Sequence, residues 1–239
     1  MGSSVSVRSG YHHGDLRNAL SRAAADLARE GGPGAVTVRA AARAVGVTPT
    51  AAYRHFAGHE ELLDAAKEQA MARMAAVMDA ELARSPDQGD PVRRGLRHLA
   101  AVGLGYLNFA VAEPGLFRTC FVGGMPAGST VHPVWTSEPF VRAIAVLDEL
   151  AEAGYLPAER RPMAELAIWS SVHGLAMLLN EGPMRHAGPE IQRQAIERTF
   201  EVIAVGLGGS PLTGELRADL LEMIRRSGLS APDPGPSAG

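Results

Sequence analysis

Apolar residues recur at helical spacing along nearly the whole chain. Leu16, Leu20, Ala23, Ala24 and Leu27 fall on one stripe, and the Gly31-Gly32-Pro33-Gly34 cluster ends the helix they predict. Thr37 then stands as an N-cap before Val38, Ala41, Ala42 and Val45, with Gly46 where a left-handed residue would close this short helix. Thr48 is a second N-cap, and Pro49 takes the first helical position, where its missing N–H costs nothing. The third helix so predicted runs to about His55 and turns Ala52 and Phe56 inward. A longer helix is expected over 60–82, through Leu63, Ala66, Ala70, Met74, Val77 and Leu82. After a Pro/Gly/Asp loop at 85–91, helices are expected over 92–112, 116–122, 140–153, 161–181, 189–206 and 212–227. Glu113-Pro114-Gly115 breaks the series, and 123–133 shows no period. No segment alternates with period two over strand length, so the fold class expected is all-α.

A chain of 239 residues, 46% apolar and 21% charged, can bury a core and suits one or two domains. The Ser/Gly-rich segment 1–10 is expected to be a flexible arm, and the Pro/Gly/Ser-rich segment 229–239 a disordered tail. Between them we expect a DNA-binding unit over 11–65 and a helical effector-binding and dimerisation unit over 66–228. No run of 18 apolar residues is present, so no membrane span is expected. The first residues carry charge and no apolar stretch of a secretory signal, and the lone Cys120 has no partner for an internal disulfide. A cytoplasmic location is the expectation.

The net charge of −3 looks wrong for a nucleic-acid binder until it is divided. Residues 1–56 carry seven arginines against Asp15, Asp26 and Glu30, a balance of +4, which leaves −7 on the remainder. An anionic partner is therefore expected for the N-terminal part alone. Residues 37–56, TVRAAARAVGVTPTAAYRHF, have the length and turn chemistry of a helix-turn-helix. With Val38, Ala42, Val45, Val47, Ala52 and Phe56 turned inward, the second helix leaves Thr48, Pro49, Thr50, Ala51, Tyr53, Arg54 and His55 outward. Hydroxyls, a phenol and cations of this kind meet phosphate oxygens and base edges. A bare helical hairpin would use similar spacing.

The run from Tyr11 to Ala66, and VTPTAAYRHFAGHEELL within it, resembles the N-terminal DNA-binding domain of the tetracycline-repressor (TetR) family. YHHGDLR at 11–17 and WSSVHG at 169–174 are similar to one branch of that family, whose C-terminal domain carries a tryptophan–histidine–glycine (WHG) signature. The resemblance implies a homodimeric, ligand-responsive transcription regulator, most simply a repressor. By position it puts Thr37 and Arg39 on phosphates, Thr48, Thr50, Ala51 and Tyr53 at the major groove, and Arg54 and His55 near backbone or bases. His59 stands where the family has a phosphate-holding lysine, and Ala52 where a larger aliphatic is common. The partners implied are a palindromic double-stranded operator, a small-molecule effector and a second copy of the chain; no cofactor, metal or membrane is implied.

One short recognition helix reads few bases, so two copies must stand about 34–36 Å apart, one turn of DNA. Two stripes are candidates for the dimer interface: Ala167, Ser171, Gly174 and Leu178, and Ile196, Phe200, Ile203 and Leu207. By resemblance these helices would form a four-helix interface; the small residues of the first stripe would equally suit packing within one subunit. Tyr106, Phe109, Phe117, Phe121, Trp135, Trp169, His173 and Met177 are candidates for an effector pocket, with Cys120, Met125 and Phe140 nearby. His173 is either a hydrogen-bonded core histidine or the polar anchor of a ligand.

Enzyme signatures such as G-x-S-x-G, a P-loop or a dinucleotide fingerprint are missing, and Cys120 reads as a buried inert thiol. The eight histidines are too scattered for a metal site; His12 and His13 are adjacent, while His98, His132, His173 and His186 stand alone. The alternative to a DNA-binding regulator is a helical interaction module or ligand carrier that never touches DNA.

Overall fold

The caps that the sequence supplies define the first three helices: α1 (His13–Gly31), α2 (Val38–Val45) and α3 (Pro49–Tyr53). Thr37 Oγ1 accepts the Ala40 amide at 3.1 Å, and Thr48 Oγ1 accepts the Ala51 amide at 3.2 Å. Between them Gly46 adopts φ 78°, and the Val47 amide reaches back to the Ala42 carbonyl at 2.9 Å. A side chain at that φ would be strained, so glycine lets the chain turn sharply from α2 into α3. α3 ends at Tyr53, short of the expected His55, because its last turn tightens: the amides of Arg54 and His55 bond three residues back, to Ala51 and Ala52.

The rest of the chain folds as α4 (His59–Ala83), α5 (Pro91–Ala112), α6 (Pro114–Phe121), α7 (Glu138–Glu152), α8 (Ala164–Asn180), α9 (Pro189–Gly208) and α10 (Gly214–Ser227). This computed structural model describes residues 13–86, 89–123 and 133–229, and among them every regular element is helical. The expected arm at 1–10, the tail from 230 onward, and Tyr11, His12, Met125 and His132 lie outside the described residues. α8 starts three residues later than its apolar spacing suggests, because a 3₁₀ turn at Ala158–Arg160 and a left-handed Met163, φ 61°, precede it. Among the described residues no single helix is long and apolar enough to cross a membrane.

Phe56 and Ala52 are fully buried against Leu20, Ala24 and Ala28 of α1 and Ala41 and Ala42 of α2, which closes the first small core. α4 completes it with Leu62, Leu63 and Ala66, then continues past α5, α6 and α7 with Ala70, Met74 and Met78. The expected domain division at 65/66 thus falls inside one unbroken helix. A second joint lies at the α5–α6 corner. There the mostly buried Glu113 carboxylate accepts Arg29 Nε of α1 at 2.8 Å and Arg73 Nε of α4 at 2.6 Å. Gly115 follows, so close to α1 that an added Cβ would sit 2.4 Å from the carbonyl oxygens of Ala28 and Arg29. Replacing Gly115 by Ala is expected to destabilise the protein by about 1–3 kcal/mol through this backbone clash. Gly34→Ala, whose methyl meets open space, should stay within about 0.5 kcal/mol. Urea denaturation of the two variants checks the contrast.

Candidate nucleic-acid interface and internal cavity

Burying Val38, Ala41, Ala42, Ala52 and Phe56 leaves one continuous outer face on α2 and α3. Thr37, Arg39, Thr48, Pro49, Thr50, Tyr53, Arg54 and His59 are exposed there, Tyr53 by 48%, while Ala51 and His55 are half-buried. The oxygens of Thr37 and Thr48 accept capping bonds, which leaves their O–H groups available to donate.

The basic surplus of this region divides into two sets. Arg17 is turned inward: its guanidinium lies 4.4 Å over the Phe56 ring, donates to the His55 carbonyl and pairs with Glu61 at 3.0 Å. Arg29 is held by Asp26 and Glu113. Arg39, Arg43 and Arg54 are exposed and form no ion pair among the described residues. Arg39 and Arg43, four apart, share a face of α2. Arg43 was overlooked by sequence reasoning; its spacing from Arg39 was the available signal. His59 stands at the first turn of α4, and its Nδ1–H donates to the Val36 carbonyl at 2.7 Å. The ring therefore holds the residue before the Thr37 cap. Glu61 adds a second tie by accepting the Ala57 amide at 2.7 Å.

Beyond this unit, α4, α5, α6, α7, α8 and α9 line a partly open cavity of about 60 Å³. Met71, Met74 and Met78 form one wall, and Tyr106, Phe121, Phe140, Trp169, Phe200 and Ile203 contribute others. Of the eight expected pocket residues, Tyr106, Phe121 and Trp169 bound the space. Trp135 and His173 stand one ring behind it, 6.2 Å and 5.5 Å from Trp169 between ring centres. Phe109 and Phe117 are ordinary core, and Met177 points to the surface, so these three do not line the cavity. The methionine wall was missed because Met71, Met74 and Met78 also satisfy the ordinary spacing of a buried helix.

Tyr106 Oη and His173 Nδ1 share a hydrogen bond of 2.7 Å, and Trp169 Nε1–H points at the phenol oxygen from 3.4 Å. Burial raises the Tyr106 phenol well above its ordinary range and lowers the His173 imidazole, so both are neutral. Burial also pushes the Cys120 thiol up to about 12, which makes it inert at neutral pH.

The two stripes considered for dimerisation separate. Ala167, Ser171, Gly174 and Leu178 are exposed on α8, Leu178 by 44%, and Met177 continues the same surface. Ile196, Phe200, Ile203 and Leu207 lie inside their own subunit, Phe200 only 4% exposed, so they cannot form an interface as they stand. The outward apolar residues of α9 are Ile191 and Val202, the latter 60% exposed. α9 has apolar residues on two sides, and periodicity does not say which side its own chain covers.

Two capped helices at a left-handed glycine corner, with exposed arginines on the outer face, define a helix-turn-helix of the kind that enters a DNA groove. Residues 20–66 match the signature described as bacterial regulatory proteins, tetR family, and residues 99–203 match the tetracyclin repressor-like C-terminal domain. Together they span well over half the chain, which belongs to the TetR family and is a DNA-binding transcriptional regulator rather than an enzyme. Comparison with curated proteins finds no match. Solved structures share the fold. A protein of unknown function from Rhodococcus sp. RHA1 is 22% identical with a TM-score of 0.66, over 83% of this chain and 98% of its own. RolR in complex with resorcinol is 16% identical with a TM-score of 0.58, over 92% and 96%. A SmeT–triclosan complex is 20% identical with a TM-score of 0.50, over 83% and 93%.

Removing the His59 ring should release the start of α4 from the loop before α2. His59→Ala is expected to cost about 1 kcal/mol, one net hydrogen bond, in urea denaturation.

Proposed function

We propose that the chain works as a cytoplasmic homodimeric repressor that reads a palindromic operator and is released by a small, largely apolar effector. The observation that carries this reading is the outer face of α2 and α3, with Arg39, Arg43, Tyr53 and Arg54 directed to solvent while Ala52 and Phe56 hold the helix from behind. In this reading Thr37 and Arg39 contact phosphates. Thr48, Pro49, Thr50, Ala51 and Tyr53 meet the major groove, and Arg54 and His55 stay near its edge. His59 acts indirectly, through the Val36 carbonyl. The DNA-binding unit occupies 11–65 and the effector and dimer unit 66–228, with α4 shared.

The second copy docks on the exposed α8–α9 surface. Ala167, Ser171 and Gly174 allow close helix approach there, and Met177, Leu178, Ile191 and Val202 supply apolar area. The effector occupies the cavity against Met71, Met74 and Met78. These side chains sit on the same helix as His59, between about 18 and 28 Å along from it at ~1.5 Å per residue. The space of about 60 Å³ is below the roughly 300–1,000 Å³ of small-molecule sites, so the liganded state must be a wider one. A ligand that binds this wider state better tilts α4 and moves the paired recognition helices away from the spacing of one DNA turn. Resorcinol and triclosan, held by RolR and SmeT, are small aromatic molecules.

Binding to duplex DNA, followed by fluorescence anisotropy against salt, tests the reading. Tyr53→Ala and Arg54→Ala should each weaken binding about tenfold with the assembly mass unchanged, and Arg54→Ala should lower the salt slope by about one. Unchanged affinity in both variants would favour the interaction-module alternative. Leu178→Arg or Val202→Arg should convert the dimer to a folded monomer in sedimentation equilibrium, because either places an unpaired charge in the interface.

A further inference from the structure

We propose that Phe200 sets the length of the molecule the cavity accepts. Its ring is the partition between the cavity and a second void beneath α10, and an uncharged, hydrocarbon-like ligand stops against it. This rests on reading the cavity as the effector site, and it adds the residue by which the site selects.

Chemistry leaves little to select on. Both hydroxyls on the wall are engaged: Ser137 donates to the Val134 carbonyl at 2.6 Å, and Tyr106 shares its 2.7 Å bond with His173. Apart from Trp169, whose N–H points at the Tyr106 oxygen, the other lining side chains are aliphatic, thioether or phenyl. A charged group entering this space would lose its hydration and meet no opposite charge, so the ligand is neutral. Walls of this kind reward buried area alone, by the same increment for every added methylene. What they can refuse is a molecule too long for the space.

The boundary that fixes length belongs to two voids at once. Phe200 and Leu99 line the cavity, and the same two side chains line a smaller space of about 20 Å³ between α5, α9 and α10. The Phe200 ring is held in place from the α5 side. A Cβ placed on Gly103 would lie 2.6 Å from its Cε1 and 2.7 Å from its Cζ, so only glycine lets the ring come this close to the helix. Gly103 is itself part of the cavity wall. The ring therefore closes the gap between α5 and α9 that would otherwise join the two spaces.

The second void is suited to receive what Phe200 holds back. Leu96, Ala204, Leu216, Leu220 and Met223 surround it with hydrocarbon. Its wall also includes the Arg93–Asp219 pair, in which Arg93 Nε and Nη2 donate to the carboxylate at 2.6 and 2.8 Å. Without the ring, an alkyl chain would run from the cavity toward α10 and gain burial until it met that ion pair. Covering the pair would strip water from two charges and return nothing, so the opened site has a limit as well.

The test titrates the full-length protein, without DNA, with the n-alkylbenzenes from toluene to heptylbenzene. Binding is read by tryptophan fluorescence and by the rise in melting temperature. In the unaltered protein affinity should climb about fourfold per added methylene and then break, with the next homologues gaining nothing. Phe200→Ala should move that break outward by about three methylenes, the span of the ring removed. Phe200→Leu keeps a branched side chain in the gap, so it should move the break by about one methylene, and it serves where the alanine variant fails to fold. Ala204 lines the second void and not the cavity. The double variant Phe200→Ala/Ala204→Leu returns apolar volume from behind and should bring the break back toward its original homologue. A break at the same homologue in the unaltered protein and in the Phe200 variants overturns the proposal, as does affinity that climbs without a break through heptylbenzene in the unaltered protein. Binding of no homologue by any of the proteins overturns it together with the effector reading, whereas saturable binding with an unmoved break overturns this inference alone.

Discussion

A helix that must satisfy two cores at once cannot move in one without disturbing the other, and α4 is such a helix. Its first turns bury Leu62, Leu63 and Ala66 under the α1–α3 unit, while later turns give Met74 and Met78 to the cavity. In the proposed switch, space opened between the methionines and Trp169 would reach His59 and Glu61 along this one helix. Those two residues hold the Val36 carbonyl and the Ala57 amide, the backbone points that flank the helix-turn-helix. The α5–α6 corner provides a second route. Glu113 joins Arg29 and Arg73, Gly115 rests on the carbonyl end of α1, and Phe117 and Phe121 follow on the same short helix beside the aromatic cluster.

Charge in the N-terminal unit has two distinct uses. Arg17 lies over an aromatic face and donates to a backbone carbonyl, so it fastens the end of α3 to α1 and adds little to the outer field. Arg39, Arg43 and Arg54 have no carboxylate partner among the described residues, and their field extends outward. A regional surplus of +4 therefore overstates what a phosphate backbone would meet, though the sign is right.

The cavity offers walls that are almost entirely apolar. Apolar surface alone rewards any greasy molecule in proportion to its area. The Trp169–Tyr106–His173 hydrogen bonds hold two rings of that wall in fixed relation.

Cap chemistry and periodicity are local properties, and the sequence by itself determined what depends on them: an all-helical chain, two N-capped helices at a glycine corner, and the outward set from Thr48 to Arg54. It did so because Thr37, Thr48, Pro49 and Gly46 act on amides and carbonyls only a few residues away. Tertiary structure alone decided which of two apolar faces is covered. Phe200 and Ile203 turned toward the cavity and Val202 toward solvent, although all three lie within one turn of α9. It also decided that Arg17 faces a ring, that His59 reaches Val36, and that three methionines rather than Phe109 and Phe117 bound the cavity. Each of these depends on which distant helix packs alongside, and a periodic pattern carries no information about its neighbour.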